Sequence, residues 1–156
     1  MSKPLVAIVC GSSSDLPILT NAEALLKEFG VSYELKVSSA HRNPAQTSKW
    51  ASSLKDRGFK VAIAAAGYAN HLAGTVAAHT TLPVIGIPLD GSPMSGLDSL
   101  LSTVMMPSGV PVATVTVGKA GAKNAAILAI QILSLSDEDL DKKITLYKAK
   151  MATPAQ

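Results

Sequence analysis

Apolar residues arrive along this chain in two alternating rhythms. Leu5 to Cys10 and Val61 to Ala66 are unbroken apolar runs. Short runs of that kind mark strands buried on both faces of a parallel sheet. Pro83 to Ile87 and Val112 to Val117 extend the series. Val31, Tyr33, Leu35 and Val37 alternate with other positions instead, which predicts a half-buried strand nearer an edge. Helical spacing fills the gaps. Ile18, Leu19, Ala22, Leu25, Leu26 and Phe29 share one face behind Pro17, and Gly30 ends that helix. A second helix is predicted from Pro44 to about Arg57, ended by Gly58. A third, rich in small residues, ends near Thr80, and a fourth carries Leu97, Leu100, Leu101 and Val104. A fifth spans Ala122 to Leu133, and Ser136-Asp137-Glu138-Asp139 is a capped start to a polar last helix.

Strands and helices alternating through short connections imply an α/β fold, a three-layer doubly wound parallel sheet. The expected strand order is the flavodoxin-like 2-1-3-4-5, with an extra C-terminal helix. Residues 1–156 make one domain, with a helical extension and tail from about residue 136. The fifth helix has almost no polar face: Ala125, Ala126, Ile127, Leu128, Ala129, Ile130, Ile132 and Leu133 surround it. A helix apolar all round needs cover on every side, and a subunit interface is the expected source.

Composition narrows the function classes. At 47% hydrophobic and 16% charged the chain is globular, and with 4% aromatic residues its core is aliphatic. The net charge is +3, with basic residues scattered and no run of nucleic-acid type. A small phosphorylated ligand accounts for the basicity better than DNA or RNA. Cys10 is the one cysteine, so no internal disulfide forms and no Cys/His cluster suggests a metal. It reads as an inert core thiol. No apolar run reaches the ~18 residues of a membrane helix, and the chain enters its first strand directly. A cytoplasmic protein is expected.

The candidate chemistry lies after the strands, at the edge where such sheets bind ligands. Ser39-Ala40-His41-Arg42-Asn43-Pro44 follows the second strand. A histidine there exchanges protons near neutral pH, and the neighbouring arginine fork suits a phosphate. Gly11-Ser12-Ser13-Ser14-Asp15 follows the first strand and offers donors to an anion. Asp15 either caps the next helix or accepts from sugar hydroxyls. This loop lacks the Gly-Lys-Ser/Thr of a P-loop and the GxGxxG of a dinucleotide fold. Gly67-Tyr68-Ala69-Asn70-His71-Leu72-Ala73-Gly74 follows the third strand and brings His71 to the same edge. The other reading of this stretch is a helix start capped by Asn70. His79, inside the next helix, reads as structural. Ser92 to Ser99 follows the fourth strand at that edge too.

GSSSD, SAHRNP, AGYANHLAG, GLDSLLS and MPSGVPVAT, followed by GKAGAKNAA, run in order from about residue 5 to 134. Together they resemble the (5-carboxyamino)imidazole ribonucleotide mutases of purine biosynthesis, a family shared with aminoimidazole ribonucleotide carboxylase. The resemblance implies a flavodoxin-like homo-octamer with no metal and no organic cofactor. It implies that Ser12 and Asp15 bind the ribonucleotide, with Ser39, Arg42 and His71 lining its pocket. In such a site Arg42 holds the phosphate and His41 transfers protons. Leu16, Ala73 and Met105 depart from the usual pattern, Met105 standing where the family has glutamine. Asn70 is similar to a residue of the related carboxylases. Those commonly have His-Lys in place of His41-Arg42 and lack a histidine at position 71.

The reaction this resemblance implies moves a carboxylate from the exocyclic nitrogen to ring carbon four of an aminoimidazole ribonucleotide. An alternative is the carboxylase, which takes free carbon dioxide. From another class comes a non-catalytic nucleotide- or flavin-binding module. A flavin wants aromatic residues at the loops, and only Tyr68 is so placed. A phosphoacceptor receiver is excluded, because the third strand ends without an aspartate.

Overall fold

The computed structural model describes residues 4–152. Among the described residues, five parallel strands run β1 Val6–Cys10, β2 Tyr33–Val37, β3 Val61–Ala66, β4 Val84–Pro88 and β5 Ala113–Thr114, in the order β2-β1-β3-β4-β5. Six helices accompany them there: α1 Leu16–Phe29, α2 Pro44–Ser53, α3 Leu72–His79, α4 Leu97–Val104, α5 Gly118–Ser134 and α6 Glu138–Ala152. The order and the extra last helix match the expectation. The tail beyond residue 152 lies outside the described residues.

The unbroken apolar runs follow from burial on both faces. Side chains alternate across a strand. Val6, Ile8 and Cys10 of β1 therefore enter one core layer with Ile63, Ile85 and Ile87, under α1, α5 and α6. Ala7 and Val9 enter the other with Ala62, Ala64 and Val84, under α2 and α3. Registers such as Val6 opposite both Tyr33 and Val61 keep the two layers in step. β2 is an edge strand, half-buried from Tyr33 to Lys36 and exposed at Val37.

Helix ends obey local chemistry. Gly30 closes α1 at φ 76°, a left-handed backbone that suits glycine. Asn43 starts α2 by accepting from the Gln46 amide at 3.3 Å, with Pro44 at its first turn. Among the described residues no helix is long and apolar enough to cross a membrane.

Several expectations need correction. The second helix stops at Ser53 rather than near Arg57. Leu54 donates to the Ala51 carbonyl and Gly58 to that of Lys55, so the backbone tightens into turns, and Arg57 pairs with Glu34 of β2. β5 is two residues long, not six. It is an outer strand paired with β4, and past Val115 the chain bends into α5. There Gly121 lies against the Thr116 carbonyl so closely that a Cβ would sit 1.8 Å from its oxygen. α5 begins at Gly118 and not at Ala122.

The remaining corrections concern apolar faces. Much of the apolar surround of α5 is covered from within the chain: the sheet lies beneath, and α1 and α6 pack against it, while Ile127, Leu128 and Ile132 stay partly exposed. Leu140 and Ile144 of α6 are buried in that layer, and Tyr147 meets Phe29 edge-on at 5.5 Å. Ile130 is wholly buried. The opposite happens at α4. In the helix that carries Leu97, Leu100, Leu101 and Val104, Ser99 and Thr103 are the buried residues. Leu97, Leu101 and Val104 are each about half exposed, with Met94 and Met105 beside them in sequence also exposed.

Ile130 therefore serves folding. Ile130→Asp buries an unpaired carboxylate and should cost more than about 4 kcal/mol. Urea unfolding followed by circular dichroism should show a largely unfolded chain. A well-folded variant that had merely lost partners would return Ile130 to an interface.

Candidate active site

Parallel strands end at one edge of the sheet, and the loops after β1, β2, β3 and β4 surround a cleft of about 620 Å³ there. Gly11, Ser12, Ser14 and Asp15 come from the first loop, and Ser39, His41 and Arg42 from the second. Gly67, Tyr68, Ala69 and His71 come from the third, and Leu89, Asp90 and Gly91 from the fourth. All six residues singled out in the sequence, Ser12, Asp15, Ser39, His41, Arg42 and His71, line this one cleft.

The first loop is a tight reciprocal cap. Ser12 Oγ accepts from the Ser14 amide at 3.3 Å, and Asp15 Oδ2 accepts from the Ser12 amide at 3.0 Å. The cap serves the short 3-10 turn Ser13–Asp15, while Asp15 makes no side-chain cap bond to α1. Burial pushes the Asp15 carboxyl above its ordinary range, against the Ser12 amide, Ser14 and the charge of Arg42. Beneath it, Cys10 is buried and its thiol is pushed up to about 11 by burial and by Asp15. An inert thiol fits that environment.

Arg42 ties two loops together. Its amide donates to Ser39 Oγ at 3.2 Å, and its guanidinium reaches the Gly11 carbonyl at 3.2 Å. It stands just before the N-terminus of α2, so a guanidinium fork and a helix start lie side by side.

His41 meets His71 directly. Nε2 of His41 lies 2.5 Å from Nδ1 of His71, with ring centroids 4.5 Å apart and planes at 71°. A hydrogen bond between two imidazoles requires one facing nitrogen bare and one protonated. While the contact holds, the pair carries at most one positive charge. It can donate and accept a proton at neighbouring points of the same cleft.

His71 itself stands at the N-cap of α3, without a capping side-chain bond. Asn70 does not cap that helix either. It is buried, pointing to α4, where its Nδ2 donates to Thr103 Oγ1 at 2.9 Å, and it does not line the cleft. Met105 is 77% exposed and away from the cleft. His79 bonds the Thr75 carbonyl from inside α3, in a structural role.

Sequence reasoning misses Asp90 and Gly91. It points to Ser92 to Ser99 at this edge, but Ser92 donates to Asp98 at 2.7 Å, and no residue of that stretch lines the cleft. The one signal for Asp90 and Gly91 is position, directly after β4.

The AIR carboxylase family model matches residues 5–154. The N5-carboxyaminoimidazole ribonucleotide mutase of Bacillus subtilis is 54% identical over 142 residues, covering 91% of this chain and 88% of that protein. The phosphoribosylaminoimidazole carboxylase of Saccharomyces cerevisiae is 50% identical over 150 residues, covering 96% of this chain but 26% of that longer protein. Among solved structures, Treponema denticola PurE superposes with a TM-score of 0.85 at 32% identity, covering 96% of this chain and 92% of that one.

Proposed function

Since this chain belongs to the AIR carboxylase family, we propose that it is a single-domain mutase of purine biosynthesis. Its reaction moves a carboxylate from the exocyclic nitrogen to ring carbon four of an aminoimidazole ribonucleotide. One observation carries the reading of the site: His41, Arg42, Ser12, Asp15, Ser39 and His71 line one cleft at the sheet edge. The mutases 54% and 49% identical to this chain, from Bacillus subtilis and Pyrococcus horikoshii, support the reaction.

Each residue then has a task. Arg42, at the start of α2, takes the phosphate in its fork, assisted by Ser39. Ser12 and Asp15 accept and donate at the ribose hydroxyls; the partly buried Asp15 carboxyl is held where sugar hydroxyls replace lost water. The base lies against the histidine pair. His41 gives a proton to the exocyclic nitrogen as its bond to the carboxylate carbon breaks, leaving an amine and carbon dioxide. Ring carbon four then attacks the carbon dioxide, and its proton returns to His41. The proton count is unchanged, as an isomerisation demands. His71, in hydrogen-bond contact, steadies the His41 ring and its tautomer. Keeping both fragments in one cleft replaces a bimolecular encounter.

The apolar face of α4 supports assembly into a closed homo-oligomer, an octamer by family resemblance. A stripe of half-exposed leucine and valine flanked by methionines marks an interface more than a solvated surface. Its purine-biosynthetic relatives support a cytoplasmic place of work.

The yeast carboxylase, matched over 26% of its length, gives one second reading to test, use of free carbon dioxide. Asn70 does not argue for it through substrate contact, since its side chain turns from the cleft. Isotope retention separates the two. With labelled carboxylate on the carboxyamino ribonucleotide and unlabelled bicarbonate in solution, a mutase keeps most label in its product. Turnover only of the uncarboxylated nucleotide at high bicarbonate would make the chain a carboxylase.

Two variants probe the assignments. His41→Asn should keep the thermal midpoint within a few degrees and lower turnover by roughly 100-fold or more. Near-normal turnover would remove His41 from the chemistry. Leu101→Asp should leave the fold intact while light scattering reports smaller particles. An unchanged large assembly would clear α4 of the contact.

A further inference from the structure

Why α4 turns its polar side inward is answered by what that side holds. Ser102 Oγ accepts from the Asn70 amide at 2.8 Å and lies 2.7 Å from the Asp98 carbonyl. A hydroxyl has one proton, and the short contact to Asp98 takes it. Its lone pairs are then left facing the Asn70 amide. Thr103 Oγ1 accepts from Asn70 Nδ2 at 2.9 Å and donates to the Ser99 carbonyl at 2.6 Å. Ser99 Oγ donates to the Leu89 carbonyl at 2.7 Å. Three hydroxyls of one short helix thus grip the loops after β3 and β4, two of the four walls of the cleft.

The grip on the loop after β3 is the one that reaches the chemistry. Asn70 directly precedes His71, whose ring meets His41. Tyr68, two residues before Asn70, has φ 54°, a left-handed backbone that a tyrosine adopts only under constraint. Asn70 is 1% exposed, and its Oδ1 has no hydrogen-bond partner among the described residues, an additional cost that the loop bears. A segment this strained relaxes unless something outside it holds it.

We propose that Ser102 is a positioning residue: through its hydroxyl, α4 fixes the loop that carries His71 and so aligns the histidine pair. This rests on the mutase reading of the cleft and adds a residue outside it. Ser102 is only partly buried and belongs to neither apolar core layer, so removing its hydroxyl leaves the core intact.

Amide hydrogen exchange followed by mass spectrometry reads the clamp in the assembled protein without any ligand. In Ser102→Ala the peptide containing Asn70 should lose protection by roughly tenfold at one amide. Turnover of the carboxyamino ribonucleotide should fall by about tenfold or more, with KM changing much less and the thermal midpoint little. Ser102→Thr keeps the hydroxyl and should restore both protection and kcat. Unchanged exchange in Ser102→Ala would overturn the clamp. Faster exchange with kcat within about twofold of wild type would overturn the positioning role. Equal losses in the threonine and alanine variants would exclude the hydroxyl as the cause. Absence of turnover in the wild-type protein would instead strike the proposed reaction, while the exchange measurement still decides whether Ser102 holds the loop.

Discussion

Everything in this molecule depends on a parallel sheet that is buried on both faces. Parallel pairing aims every strand in one direction, so all the strand-to-helix loops emerge at one edge. Burial on both faces demands the unbroken runs of β1, β3 and β4, and it forces helices onto both sides. Once that packing is satisfied, residues as distant in sequence as Ser12, His41, His71 and Asp90 share one cleft. A rigid interior is compatible with an adaptable site, since the chemistry is carried by loops whose ends are anchored.

A second constraint sets the quality of the site. Loops after strands have few apolar residues with which to hold themselves. Here they are held by hydrogen bonds from outside: Arg42 bridges to Gly11, Asp15 closes on Ser12, and the hydroxyls of α4 hold Asn70 and Leu89. The consequence falls on α4, which turns serine and threonine inward and leaves leucines outside. One helix therefore faces the site with its polar side and a prospective neighbour with its apolar side. The proposed assembly and the site geometry would meet in those few residues.

Residues with strong local physics are legible in the amino-acid sequence alone. β1 and β3 are unambiguous because double-sided burial permits no polar position. Gly30 and Pro44 mark helix limits through backbone conformation alone. The cleft residues from three of the four loops are legible because topology fixes where a strand ends. Periodicity misleads where tertiary contacts override it. Helix α4 looks amphipathic in the ordinary sense, and nothing local reveals that its serines face inward. The apolar surround of α5 suggests a partner because the polar sequence of α6 hides Leu140, Ile144 and Tyr147, which cover part of it. Asn70 next to His71 looks like a cap or a ligand contact, and only the position of Thr103 explains it. The shortness of β5 has no local signal: the chain pairs with β4 only at Ala113 and Thr114 before it turns into α5.

A structure of the assembled protein with the product ribonucleotide bound is the most direct test of the central claim, that the converged loops form one ribonucleotide site. The phosphate should lie in the fork of Arg42 at the start of α2, the ribose hydroxyls at Ser12 and Asp15, and ring carbon four should face His41. A phosphate bound away from Arg42, or a reacting carbon out of reach of His41, would contradict that claim.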